Sequence, residues 1–224
     1  MSRTVNDILF QGLPASALLG TMSFLVSVAL GIPLGVVAAL RQNKWPDYVA
    51  TTISVIGVAT PSFIIAVFLQ LFFAVRLHWF PTGGWKGPEY WVLPTIALSG
   101  FAIASIARYT RASMLEVTRR DYVRTAQSKG LRERTIVVIH MIRNALIPVV
   151  TILGPIFAFL VTGSLIIETV FTVPGIGRFF VDAITNRDYG LIMATTVLFA
   201  FTVALMNLVV DIAYAYIDPR IRYS

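Results

Sequence analysis

Five stretches of this chain, 15–40, 49–75, 90–107, 144–167 and 189–210, carry no charged side chain. Each has about the length that a helix needs, roughly 20 residues, to cross about 30 Å of hydrocarbon. In lipid every backbone N–H and C=O must be satisfied from within, so spans of this length are helices, and side chains rather than water surround them. With 57% hydrophobic residues, a water-soluble domain of 224 residues is excluded. The expectation is an all-α, polytopic membrane helical bundle of about five transmembrane helices, one membrane-spanning domain over residues 1–224. The third stretch is the shortest and contains Pro94 and Gly100; it is expected to continue beyond the membrane as helix through Arg108 and Arg111.

The cations set the orientation, because Lys and Arg in short loops stay on the cytoplasmic side. Of the 18 basic residues, thirteen fall on one side: Arg41, Lys44, the nine between Arg108 and Arg143, and Arg220 and Arg222. The other side holds five, Arg3, Arg76, Lys86, Arg178 and Arg187. The N-terminus is therefore placed outside, the 41–48 and 108–143 loops inside, the 76–89 and 168–188 segments outside, and the C-terminus inside. The net charge of +7 reads as topology rather than as a nucleic-acid surface. The first fifteen residues are neither signal peptide nor span. Within 3–14, Val5, Ile8 and Leu9 lie at helical spacing; a short amphipathic helix at the interface and a plain leader into the first span both fit.

The residues exclude several chemistries. His78 and His140 have no second His at zinc-site spacing, and no Cys is present, so neither a metal centre nor a disulfide is expected. The three lysines follow Asn43, Trp85 and Ser128, whereas a phosphate-binding loop needs its lysine directly after glycine. The chain is thus expected to be no enzyme and to bind no cofactor. Asp211, the one acid at the inner end of the last expected span, is read as interfacial, with a proton-carrying role as the alternative. Gly31, Pro33 and Gly35, and Thr60-Pro61, should face protein or a pathway, or, each taken singly, mark simple helix kinks with tight packing; Gln70 and Asn207 are read as interhelical hydrogen-bonders rather than solute ligands.

The inner loop is too organised to be a simple connector. Residues 109–127 lack Pro and Gly and suit a helix leaving the membrane; Gly130 then supplies a left-handed cap, with Lys129 at the negative helix end and Leu131 folding back. A second short helix can run from Arg132 towards Ile142. On physical grounds alone this is either a helix–glycine–helix knob for a partner or a solvated basic loop that enforces topology.

The residues Tyr-Val-Arg-Thr-Ala-Gln-Ser-Lys-Gly-Leu, Tyr122 onward, and Arg143-Asn144-Ala145-Leu146-Ile147-Pro148 resemble the cytoplasmic coupling loop of permease subunits in binding-protein-dependent ABC importers. The likeness is greatest to the peptide and nickel branch, in its B-type permeases. Arg124-Thr125-Ala126 stands where the family has Glu-Ala-Ala, Gly130 matches, and Pro148 comes five residues late. Resemblance continues through Arg41-Gln42-Asn43, Trp79-Phe80-Pro81-Thr82-Gly83-Gly84, Ile167-Glu168-Thr169-Val170-Phe171, Pro174-Gly175-Ile176-Gly177, Asn186-Arg187-Asp188-Tyr189 and Asp218-Pro219-Arg220-Ile221-Arg222. Such permeases usually begin with a further membrane helix, which this chain is expected to lack.

The resemblance implies the type I ABC importer permease fold in a bacterial or archaeal plasma membrane. It implies as partners a second permease subunit, two P-loop ATPase subunits that bind the ATP, and an extracytoplasmic solute-binding protein. By position it assigns Arg124, Thr125, Ala126, Lys129, Gly130 and Leu131 to the ATPase contact. The segment 168–188, with Arg178 and Arg187, is either a docking surface for the binding protein or a structural cover, its Pro174-Gly175 turn placing Ile176 and Phe179 against protein. Oligopeptides are the expected solute. A secondary transporter or channel is the competing class; it needs ionisable groups at mid-membrane or inverted repeats, and only Asp211 is available.

Overall fold

In the computed structural model residues 4–217 are described, with side chains apart from those at 210, 211 and 213–217. The expectations for Arg3, the Asp211 side chain and the 218–222 motif lie outside these residues. Among the described residues every regular element is helical. Four helices are long and apolar enough to cross a membrane, and a bent pair makes the fifth.

α1 (Val5–Leu40) starts at a capping box: Thr4 Oγ1 accepts the Asp7 N–H at 3.3 Å while Asp7 Oδ2 accepts the Thr4 N–H at 3.1 Å. Residues 5–14 are therefore neither a separate interfacial helix nor a leader, as the sequence suggested, but the first turns of the span itself. Pro14 costs the helix one donor without ending it. One stripe of α1, Gly12, Ser16, Gly20, Ser23, Ser27, Gly31 and Gly35, is small and buried. Small residues at nearly fourfold spacing let backbones approach, the main source of helix association where water supplies no hydrophobic drive. Gly31 and Gly35 meet α4 (Val92–Thr118), where an added Cβ would lie 2.9 Å from Ile106 and 2.5 Å from the Ala107 carbonyl oxygen. Gly20 meets α7 (Arg143–Val161) at Leu160 and Val161. Across the first contact Ser23 and Ser27 donate to the carbonyls of Thr95 and Ser99 at 3.4 and 3.3 Å.

The second expected span is not one helix. α2 (Trp45–Ala59) and α3 (Ser62–Leu69), the latter continued by a π-helical turn (Gln70–Arg76), meet at 103°. Thr60 precedes Pro61 and is extended, at φ −87° and ψ 121°, as steric contact with the proline ring demands. The pair still crosses the bundle. Asp47 meets Arg111, a Cβ on Gly57 would touch Ala104, and Ile65 reaches Gly100, successive levels of α4 from its inner to its outer half.

Past α4 the chain forms α5 (Asp121–Ser128) and α6 (Glu133–Thr135), then widens to a π-helix (Ile136–Ile142) that runs straight into α7. α8 (Leu165–Val170) and α9 (Ile176–Asn186) cover the other end, and α10 (Tyr189–Ile217) closes the bundle. Two buried clusters mark the two ends. Leu19, Leu93, Leu160, Ile167, Phe171 and Val173 gather at one, Ala39, Met114, Val123, Ala126, Ile136 and Met141 at the other. Arg41, Lys44, Arg108, Arg111 and the basic residues of 119–143 belong with the second cluster, which is therefore the cytoplasmic end. Large apolar side chains such as Val197, Phe201 and Leu208 stay exposed along α10, a surface suited to hydrocarbon or another apolar helix.

Candidate functional site

At the cytoplasmic end α4 does not reach residue 127 unbroken. It ends at Thr118, Arg120 turns extended (φ −76°, ψ 145°), and α5 restarts at Asp121, so the expected single helix is two. The break lets α5 lie against the base of the bundle. Its Val123 and Ala126, three residues apart and hence on one face, are buried, whereas Tyr122, Arg124, Thr125 and Gln127 are exposed. Gly130 has φ +72° and closes α5 by a full Schellman pair: its N–H donates to the Gln127 carbonyl at 2.9 Å and that of Leu131 to the Ala126 carbonyl at 3.3 Å. Lys129 is the C-cap residue. Leu131, expected to fold back on the helix, is 42% exposed. Of the six residues assigned by sequence to a partner contact, five are exposed together; Ala126 is at the core and serves by seating α5.

Beside this knob, α2 is tied to α4 by a bidentate ion pair. Arg111 Nε and Nη2 donate to Asp47 Oδ1 and Oδ2 at 2.5 and 2.8 Å, and the same carboxylate accepts the Asn43 N–H at 3.0 Å. The sequence reading gave Asp47 no role. The signal that could have found it is its place in the first turn of α2, directly after Pro46, where a carboxylate also favours the positive helix end.

At the outer end α9 packs its buried Ile176, Gly177 and Ala183 inward, as the Pro174-Gly175 turn led one to expect, with half-buried Phe179 against Gly12 of α1. Arg178 and Arg187 both point to solvent at the two ends of α9, and Arg187 closes it in the left-handed conformation (φ 56°). Gln70 donates to the carbonyls of Thr82 and Val170 at 2.6 and 3.3 Å, fastening the outer loop to α8, so its expected structural role holds. Asn207 is exposed. Glu168, which the sequence reading treated only as part of a motif, is wholly buried beneath α9.

A cleft of about 390 Å³ opens between the α2–α3 break and α7–α10; Ser62, Phe159, Thr162, Phe180, Thr195 and Phe199 are among its lining. Aromatic rings alternate there with hydroxyls and no charged side chain contributes. Among the described residues no group of three His, Cys, Asp or Glu could hold a metal ion.

The sequence matches the family described as the binding-protein-dependent transport system inner membrane component over residues 31–223. It is 47% identical to the dipeptide transport system permease protein DppB of Bacillus subtilis (strain 168), over 99% of this chain and 72% of that one. It is equally similar, 47% over 98% of this chain and 72% of the relative, to the oligopeptide transport system permease protein OppB of Escherichia coli (strain K12). A glutathione transport system permease protein, GsiC of Shigella flexneri serotype 5b (strain 8401), is 42% identical over 99% of this chain and 72% of its own. In three dimensions the chain superimposes on the membrane subunit in an inward-facing MetNI methionine ABC transporter with a TM-score of 0.79, covering 97% of this chain and all of that one at 19% identity, a likeness of fold.

Proposed function

Because this chain belongs to the inner membrane components of binding-protein-dependent transport systems, we propose that it is the permease subunit of an ATP-driven importer of oligopeptides, with the knob at Gly130 as its contact with a separate ATPase. The observation that carries the coupling role is the build of the knob. A short helix seated by two apolar residues, and closed by a glycine in the left-handed conformation, presents Arg124, Thr125, Lys129 and Leu131 together at the cytoplasmic end. A solvated topogenic loop needs the charges but no such geometry.

In operation the ATPase pair closes on ATP and pushes on α5. Because Val123 and Ala126 of α5 share a buried cluster with Ile136 and Met141 of the π-helix, which continues into α7 without a break, displacement of the knob is passed to the membrane core. The solute, delivered from outside by a binding protein at α9, passes the cleft by Ser62 and Phe180, where rings accept apolar side chains and hydroxyls accept the peptide backbone. A second permease subunit completes the path. This chain supplies position and motion; the hydrolytic chemistry lies in its partners.

The test is co-purification from mild detergent. The tagged chain is expected to bring down a P-loop ATPase, and the doubly reversed Arg124→Glu/Lys129→Glu form, altered only at exposed positions, is expected to lose it. Undiminished recovery of the ATPase with that form would overturn the assignment of the knob.

A further inference from the structure

Glu168 is fully buried, yet among the described residues no Lys, Arg or His forms an ion pair with it. Its oxygens are taken by donors from two other elements. The Ser16 hydroxyl of α1 donates to Oε1 at 2.7 Å and the Arg178 N–H of α9 donates to Oε2 at 3.3 Å. Ser16 Oγ in turn accepts the Ile176 N–H at 2.8 Å.

The N–H groups of Ile176, Gly177 and Arg178 are the first three of α9, which have no partner within a helix. Its own N-cap residue, Gly175, offers no side chain to take them. Glu168 and Ser16 together therefore act as the missing cap, with a carboxylate at the positive end of the helix. The surrounding glycines follow from this. A Cβ on Gly177 would lie 2.9 Å from Oε2 and one on Gly163 3.0 Å from Oε1, while one on Gly175 would overlap the carboxylate itself. The spacing from Glu168 through Pro174-Gly175-Ile176-Gly177 thus encodes one object, a carboxylate in a glycine cradle that joins α1, α8 and α9.

We propose that Glu168 is a positioning residue that pins the first turn of α9 to α1, so that the two helices travel as one body through the transport cycle and Ile176 and Gly177 keep their places in the wall of the cleft. The proposal rests on the importer reading for its cycle. Opening the cradle would strip a buried carboxylate of its donors, which is far costlier than parting apolar surfaces. Motion at the outer face must then occur elsewhere, and the bend between α2 and α3 borders the same cleft.

The chain contains no cysteine, so spin labels can be placed at Phe10→Cys on α1 and Ile184→Cys on α9, both exposed positions. Their separation is measured by pulsed electron resonance in the assembled importer in nanodiscs, nucleotide-free and trapped with ATP. One narrow distance, the same in both states, is expected. Glu168→Gln, which removes the charge and leaves one accepting oxygen where the carboxylate has two, is expected to broaden it and to lower binding-protein-stimulated ATPase by about tenfold or more, the scale of a lost hydrogen bond to a charged group. Basal ATPase is expected to stay unchanged, which a merely misfolded subunit would not allow. Should Glu168→Gln fail to assemble, Ser16→Ala removes one donor without touching the carboxylate and is expected to broaden the distance too. A wild-type distance that changes between states, or variants that keep the narrow distance and full stimulation, would overturn the proposal. Preparations without any ATPase would instead refute the importer reading, and the spin-label distance in the chain alone would still report on the pin.

Discussion

Replacing Gly130 by a graded series, Asn, Ala and Val, separates backbone conformation from contact at the knob. At φ +72° the residue is left-handed, and a Cβ built there meets nothing within 4 Å. Within the subunit any effect must therefore come from the dihedral and not from a clash, and Asn and Val, of similar size, would press equally on a partner. Left-handed geometry costs an ordinary L residue roughly 1–2 kcal/mol, with Asn the best tolerated and β-branched Val the worst. That cost acts against the two Schellman bonds at 2.9 and 3.3 Å, so the knob loses its closed shape in favour of other loop conformations. At about 1.4 kcal/mol per decade, the competent population falls by roughly 5- to 30-fold for Val and by less than that for Ala. Insertion and bundle stability are expected to be unaffected, because Val123, Ala126 and Ile136 remain buried. The assay is binding-protein-stimulated ATPase of the reconstituted importer, alongside the thermal midpoint. The expected order of activity is Gly, Asn, Ala, Val at a nearly constant midpoint. Equal activity of Val and Asn would refute the reasoning, since the two differ in their tolerance of positive φ.

Gly20→Leu places its first side-chain carbon in the backbone of Leu160 and Val161, so loss of about 3 kcal/mol or more and failure to purify as a monodisperse complex are expected. Gly100→Ala, whose Cβ would meet only Ile65 Cδ1 at 3.4 Å, should purify normally. Asp47→Asn or Arg111→Met is expected to cost about 2–3 kcal/mol, less than the roughly 3–5 of a fully buried pair because Arg111 is partly exposed. The double variant should recover part of this, read as the coupling in a thermal-unfolding cycle; additive losses would show that the pair does not couple α2 to α4. For docking at α9, Arg187→Glu and Arg178→Gln, the latter neutralised rather than reversed because its N–H faces Glu168, should each weaken the binding protein in a salt-dependent manner. Affinity unchanged at low salt in both would leave α9 as a structural cover.

The resemblance read from the coupling-loop residues and the later motifs agrees with the family match over 31–223, and five uncharged stretches agree with four crossing helices and one bent pair. The details that the sequence obscured are those in which a side chain answers to a distant partner. Thr60-Pro61 was legible as a proline within one span, yet whether it would kink that span or fold it through 103° depended on what α4 offers at Gly57, Ile65 and Asp47. Residues 5–14 have weak amphipathic spacing, and only Gly12 against Ile176 and Phe179 shows why they stay in the bundle. Arg119 and Arg120 carry no turn signature, so the break before α5 was hidden.

Length, charge pattern and Gly130 belong to the sequence alone, because hydrocarbon thickness, the retention of cations on one side and the sterics of positive φ act on each residue regardless of its neighbours. The burial of Asp47 and Glu168 belongs to the tertiary structure. A carboxylate has a place inside a membrane protein only where donors from other elements converge on it, here Arg111 for one and Ser16 with the first turn of α9 for the other, and 64 and 152 residues of chain separate those partners. No local pattern encodes such a meeting; close packing of small residues on α1, α4 and α7 brings it about.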